Sequence, residues 1–491
     1  MIWEQRVHVI VMITNLVERG RRKCDMYWPK EGTATYGQID VTLVKEEVRA
    51  NYTLRQMRVK HRKLKKKKWI CSEREVNQFH YTGWPDHGTP EATLPVLSFI
   101  RKSVASNPED GGPIIVHCSA GVGRTGTYIV IDAMMKQAAA KNEMNIFGFL
   151  KHIRSQRNHL VQTEEQYIFL HDALVEFLAS GDTEVALEDI SDHILSLAQP
   201  VSDFEPMTRL EKQYSNVVTF SPSEYDIIAA RKSYNETKNR AHDLVPIEIA
   251  KVGLTPKPCI EGSDYINASW LQGYEKLKEF IVTQHPSTET RDAFWSMLWD
   301  HNAQTVVLLS PVDNQELNVF WPGHNEEYDQ ECFRVRFIEE QIHEGHSTLD
   351  FVVSSRYDDY ELKVRMIRCA GWPHSSSPLY KVLDVVNLVQ EWHLEYQNGP
   401  LVVVDRFGGT EAATFCALTT LKKQIDAENR VDVYQVCKLY HNKRPGIWRS
   451  QDDYLYIYRV LESLAGCIEG ETANCLISDT ENLIERRHSR L

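Results

Sequence analysis

Apolar residues in the first third of the chain come in short runs and alternations, a period that favours strands over helices. Val7–Ile13, Tyr36–Lys45, Tyr52–Val59, Val76–Tyr81 and Ile114–Val116 are expected as strands. Over Leu94–Ser106, Thr127–Ala140, Ile146–Ser155 and Glu164–Ala179 the apolar positions instead recur every three or four residues, as on one helix face. Strands joined by hairpins and closed by a helical half imply an α/β (α+β) domain, a twisted mixed sheet flanked by helices. No stretch reaches the roughly 18–20 apolar residues that cross a bilayer. The longest candidate, Val7 to Val17, is interrupted by His8, Thr14 and Asn15.

The same pattern is written twice, at a shift of roughly 290 residues. Met1 to Gln5 resembles Met297 to His301, and each precedes an apolar strand. Tyr27-Trp-Pro29 matches Phe320-Trp-Pro322, and Gly83-Trp-Pro-Asp86 matches Gly371-Trp-Pro-His374. Ile114 to Arg124 matches Leu401 to Glu411, and Gln162 to Tyr167 matches Arg449 to Tyr454. The expected organisation is a first domain over 1–180, an acidic connector over 181–204, a second domain over 205–466 and a disordered tail over 467–491. The alignment also implies that the first copy lacks about 92 residues corresponding to 205–296 of the second, as a fragment, short isoform or incomplete gene model would.

Composition narrows the class. A length of 491 residues with 42% hydrophobic and 25% charged residues suits a soluble protein of several domains. The formal charge of −12 argues against general nucleic-acid binding. Ten cysteines lie without metal-type spacing, so neither a zinc site nor a disulfide framework is expected, and a reduced cytoplasmic setting is. The basic run Lys60–Lys68 reads first as a solvated hairpin tip; nuclear import, anionic lipid or steering of acidic phosphopeptides are its other readings.

The chemistry gathers at Ile114–Tyr128, a strand, a loop of small residues and the start of a helix. Such a loop can turn its backbone N–H groups inward as an oxyanion nest, and the helix N-terminus adds positive potential. A lone cysteine in an apolar strand is ordinarily a small hydrophobe. Here Cys118 is followed by Ser119, Ala120, Gly121, Val122, Gly123, Arg124 and Thr125, so its thiol is expected to be depressed and nucleophilic. Arg124 offers a bidentate fork for phosphoryl oxygens. Asp86, in a Trp-Pro loop between glycines, could act as the general acid of a swinging lid.

The string His117-Cys-Ser-Ala-Gly-Val-Gly-Arg-Thr125 resembles the signature of the protein tyrosine phosphatases, and the Gly-Trp-Pro-Asp and Gln162-Thr-Glu-Glu-Gln166 motifs strengthen the likeness. The tandem arrangement resembles the cytoplasmic part of the receptor-type members, and Asn145–Arg157, Leu160–Phe169 and Asp405 resemble the gamma/zeta class and its invertebrate relatives. The resemblance implies tandem phosphatase-like domains acting on phosphotyrosine proteins through a cysteinyl phosphate, with no metal or other cofactor. It casts Cys118 as nucleophile, Arg124 as phosphate holder, Asp86 as acid then base, and Gln162, supported by Gln166, as positioner of the water. Thr125 would ease thiolate departure, His117 would tune Cys118, and Glu31 would brace Arg124. A Lys-Asn-Arg-Tyr substrate loop has no counterpart in the first copy, and the second carries Lys238-Asn-Arg-Ala241. A depressed Cys118 should also oxidise readily to a sulfenic acid.

The second copy departs at every chemical position. His374 stands for Asp86, Asp405 for Cys118, Glu411 for Arg124 and Arg449 for Gln162. Two carboxylates in the nest would repel phosphate, so this copy is expected to be inactive, with a regulatory or docking role. The alternatives for the whole chain are a non-catalytic adaptor, should the first copy be incomplete, and a lipid or dual-specificity phosphatase.

Overall fold

The computed structural model describes residues 1–63, 72–85, 88–202, 205–312, 315–374, 379–396 and 399–468. Asp86, residues 64–68 of the basic run and the tail from 469 lie outside them. The chain forms two compact units, Met1–Asp182 and Thr183–Leu491.

In the first unit the strands are β1 (Val9–Met12), β2 (Val17–Glu18), β3 (Arg21–Arg22), β4 (Thr33–Tyr36), β5 (Ile39–Val48), β6 (Tyr52–His61), β7 (Glu73–Tyr81) and β8 (Ile115–His117). The helices are α1 (Leu94–Ala105), α2 (Gly123–Lys141), α3 (Ile146–Gln156) and α4 (Glu164–Ser180). Six strands pair in the order β4-β5-β6-β7-β1-β8, and β2 and β3 make a separate hairpin. The three strands that position chemistry are parallel, with β1 between β7 and β8. All four residues of β1 are buried, as the apolar run Val9–Met12 demands of a strand covered on both faces. The run expected over Tyr36–Lys45 is broken by a turn at Gly37, whose φ of 64° suits glycine, into β4 and β5.

The second unit opens with β9 (Val185–Ala186), α5 (Ile190–Leu197), β10 (Pro200–Ser202), β11 (Glu205–Thr208), α6 (Arg209–Val217), α7 (Ile228–Arg231) and α8 (Ser233–Glu236). Next come β12 (Lys251–Gly253), β13 (Tyr265–Leu271), β14 (Phe280–Gln284), α9 (Arg291–Asp300), β15 (Thr305–Leu308), β16 (Glu327–Asp329), β17 (Phe333–Ile342), β18 (Ser347–Ser355) and β19 (Glu361–Arg368). It ends with α10 (Val382–Tyr396), β20 (Leu401–Asp405), α11 (Thr410–Glu428), β21 (Arg430–Val431), α12 (Val433–Lys443) and helical backbone over 451–468. Its sheet order is β12-β13-β14-β20-β15-β19-β18-β17-β16. From β20 to β16 this repeats the first sheet from β8 to β4, strand for strand. The acidic stretch after Asp182 contributes to this unit: β9 pairs with β21, Leu187, Ile190 and Leu197 are buried, and Thr183 Oγ1 donates to Asp432 Oδ1 at 2.8 Å.

Candidate active site

Cys118 follows β8 directly, and the loop after it closes on α2, which starts at Gly123. Gly121 adopts φ 70°, the left-handed region, which turns its amide toward the sulfur, and its N–H donates to Cys118 Sγ at 3.3 Å. Burial by itself raises the Cys118 thiol. Hydrogen bonds from the Thr125 hydroxyl and from the amides of Thr125, Val122 and Gly121 outweigh it, and the thiol lies below its ordinary value. Thr125 Oγ1 is buried close to the sulfur, and its hydroxyl is among the groups that lower the thiol.

Arg124 is held rigidly. Its Nη1 and Nη2 donate to the two oxygens of Glu18 at 2.7 and 3.0 Å, a bidentate pair, and Nη2 also donates to Pro85 O at 2.9 Å. Glu18 is buried and its Oε1 accepts from the Asn15 amide at 3.0 Å, so the hairpin of β2 and β3 serves to place this carboxylate. The brace expected at Glu31 is therefore Glu18; Glu31 is exposed.

A cavity of about 520 Å³ is lined by Cys118, Ser119, Ala120, Val122, Gly123, Arg124, Gln162 and Gln166, together with Glu18 and Lys23. The expected site residues outside that lining are Gly121, which faces the sulfur through its amide, Thr125, just beneath it, and Asp86, which is not among the described residues. On either side of the position of Asp86, Trp84 is buried and its Nε1 donates to Gly88 O at 3.2 Å, tying the two ends of that loop together. Gln166 Oε1 accepts from the Gln162 amide at 2.9 Å, so the two glutamines are set as one unit at the start of α4. A side chain at Gly126 would place its Cβ 2.4 Å from Val161 N, so α2 lies against the turn before Gln162 only because that residue is glycine. Arg157 completes the loop, donating to Gly121 O at 2.8 Å and to Ala120 O at 3.0 Å. With these carbonyls tied outward, the loop amides are left facing in.

His117, at the end of β8, donates from Nδ1 to Cys118 O at 3.1 Å and contacts Tyr27 Oη through Nε2 at 2.7 Å. Burial lowers its pKa, so the ring is neutral at neutral pH.

In the second copy the same loop is filled from within. Asp405 is 3% exposed. Its Oδ1 accepts from the Phe407 and Gly409 amides at 2.8 and 2.9 Å, and Oδ2 from the Gly409 and Ala412 amides at 2.9 Å. The nest holds its own carboxylate. Burial, and then the charge of Asp405, raise the Glu411 carboxyl above the usual range. His374, Glu411 and Arg449 line a cavity of about 590 Å³. Among the described residues no cluster of side chains could hold a metal, and no helix is long and apolar enough to cross a membrane.

The protein-tyrosine phosphatase family model matches residues 1–176 and 235–463. Tyrosine-protein phosphatase 99A of Drosophila melanogaster is 54% identical over 466 residues, covering 95% of this chain and 35% of the relative. Human receptor-type tyrosine-protein phosphatase zeta is 45% identical over 484 residues, covering 96% of this chain and 21% of the relative. The chain thus spans about a third or less of the length of these relatives. The loop around Cys118, the repeated sheet and the two matched regions agree: the chain belongs to the protein-tyrosine phosphatase family.

Proposed function

We propose that the first unit hydrolyses phosphotyrosine in proteins through a cysteinyl phosphate. The observation that carries this is a depressed Cys118 thiol in a nest of inward amides, beside an Arg124 fixed by Glu18. The Cys118 thiolate attacks phosphorus, and the P–O bond to the tyrosine breaks as Asp86 gives its proton to the leaving phenolate oxygen. The loop amides and Arg124 hold the three non-bridging oxygens through the transition state. Gln162, placed by Gln166, orients a water; Asp86 takes its proton, the water oxygen bonds to phosphorus, and the thiolate leaves with a hydrogen bond from Thr125.

The substrate proteins are those carrying phosphotyrosine, and the receptor-type likeness supports a cytoplasmic position for this part of the protein. For the second unit, the Asp405 carboxylate in its nest supports a non-catalytic role in regulation or docking. The test is turnover of phosphotyrosine, phosphoserine and phosphoinositide substrates by the full chain. Turnover of phosphotyrosine alone, abolished by Cys118→Ser, is expected. Activity surviving Cys118→Ser would assign chemistry to the second copy and reject the scheme.

A further inference from the structure

A chain of polar groups runs across the strands along one face of the sheet toward Cys118, from the exposed Glu46 through the buried Gln78. Glu46 Oε2 accepts from Arg55 Nε at 2.6 Å, and Arg55 Nη1 donates to Gln78 Oε1 at 3.0 Å. Gln78 Nε2 donates to Tyr27 Oη at 2.8 Å, and Tyr27 Oη stands 2.7 Å from His117 Nε2. His117 Nδ1 then meets Cys118 O. From Arg55 onward every bond points toward Cys118: with the Tyr27 oxygen accepting from Gln78, its proton goes to His117 Nε2, which leaves the proton of the neutral ring on Nδ1 for the Cys118 carbonyl. Gln78 is 0% exposed, a placement that costs stability unless both ends of its amide are bonded, as they are here.

The second copy shows that this fold does not need the chain. Gln78 lies opposite Ile10 and Arg55, and in the same register Met366 lies opposite Val306 and Leu349. His117 lies opposite Met12, and Val404 opposite Leu308. Tyr27 and Phe320 each precede Trp-Pro. The counterparts of Arg55, Gln78, Tyr27 and His117 are therefore Leu349, Met366, Phe320 and Val404, and all four belong to one buried apolar cluster. Replacing buried polar networks by apolar groups of similar volume is often neutral or stabilising. All four polar residues occur in the copy that has the cysteine, and none in the copy that has the aspartate.

We propose that Arg55 and Gln78 are positioning residues for Cys118: acting through Tyr27 and His117, they fix the imidazole tautomer and the Cys118 carbonyl, and so the turn that aims the sulfur and the loop amides. This rests on the phosphatase reading of the first unit. Further titratable groups border the chain. His80, which burial lowers to about 4, accepts from Arg55 Nη1 at 3.1 Å; Cys24 lies near Tyr27; and Arg124 and Glu18 stand at the loop.

The experiment installs second-copy residues in the full chain, Gln78→Met and Arg55→Leu, and adds Gln78→Glu. The last keeps an acceptor for Arg55 but turns the Tyr27 proton away from His117. Three quantities are read: the melt, the pH midpoint of Cys118 alkylation by iodoacetamide, and kcat against KM on a phosphotyrosine peptide. Folded variants whose alkylation midpoint moves to higher pH, with kcat down about tenfold and KM little changed, are expected. A wild-type midpoint and kcat in folded variants would overturn the proposal. So would loss of folding in both Gln78 variants, which would make the role structural. If the wild type alkylates as a depressed thiol but leaves phosphotyrosine intact, the phosphatase reading fails alone, and the alkylation midpoints still decide the proposal.

Discussion

Thr125 supplies the one side-chain hydrogen bond among the groups that depress Cys118. Removing that hydroxyl with Thr125→Val should raise the alkylation midpoint of Cys118 and lower kcat by about tenfold, the worth of one hydrogen bond to a charged group. The same depression has a sign for stability. A thiol whose folded pKa lies below its unfolded value stabilises the fold fully above the unfolded value, and this is lost as pH falls through the folded one. Cys118→Ser should therefore remove a gain in stability that the wild type shows as pH rises through the thiol's titration, read as the denaturant midpoint against pH. The nest and its arginine were legible in the sequence because all their residues lie within one string. The partner of Arg124 was not. Glu18 lies 106 positions away in a two-residue strand, and the carboxylate beside the Trp-Pro pair, Glu31, was the more visible candidate. Arg55 and Gln78 were equally hidden, since a strand pattern shows which residues alternate but not which of them join across three strands.

The strand, loop and helix from β8 to α2 form one device, and its fit against the turn before Gln162 depends on a missing side chain. Gly126→Ala drives a methyl group into the Val161 amide, and overpacking of this kind costs about 1–3 kcal/mol. A lower melting temperature with a larger loss of kcat, because the turn carries Gln162, is the expected result. Helices and strands of the first copy were legible to within a few residues wherever apolar periodicity was strong. The element after Asp182 was less so. Its acidic residues suggest a connector, whereas Leu187, Ile190 and Leu197 line one buried side and Thr183 reaches Asp432 from 249 positions away.

At the scale of the molecule, one fold carries two different sets of residues around the same loop, and the repeat acts as its own control. In the second unit Glu411 has a folded pKa raised above its unfolded value, so its contribution is fully present below the unfolded value and is lost as pH rises through the folded one. Glu411→Gln should accordingly stabilise this unit near neutral pH and change little at about pH 4, the ordinary carboxyl range, as read by thermal melts at the two pH values. The Asp405 carboxylate, bonded by three loop amides, has a practical consequence. A phosphate mimic has no vacancy there to enter, so the chain should count as monovalent despite its twofold architecture. Calorimetric titration with vanadate should saturate at one equivalent per chain, and inhibitors shaped to the phosphotyrosine pocket should report on the first copy alone.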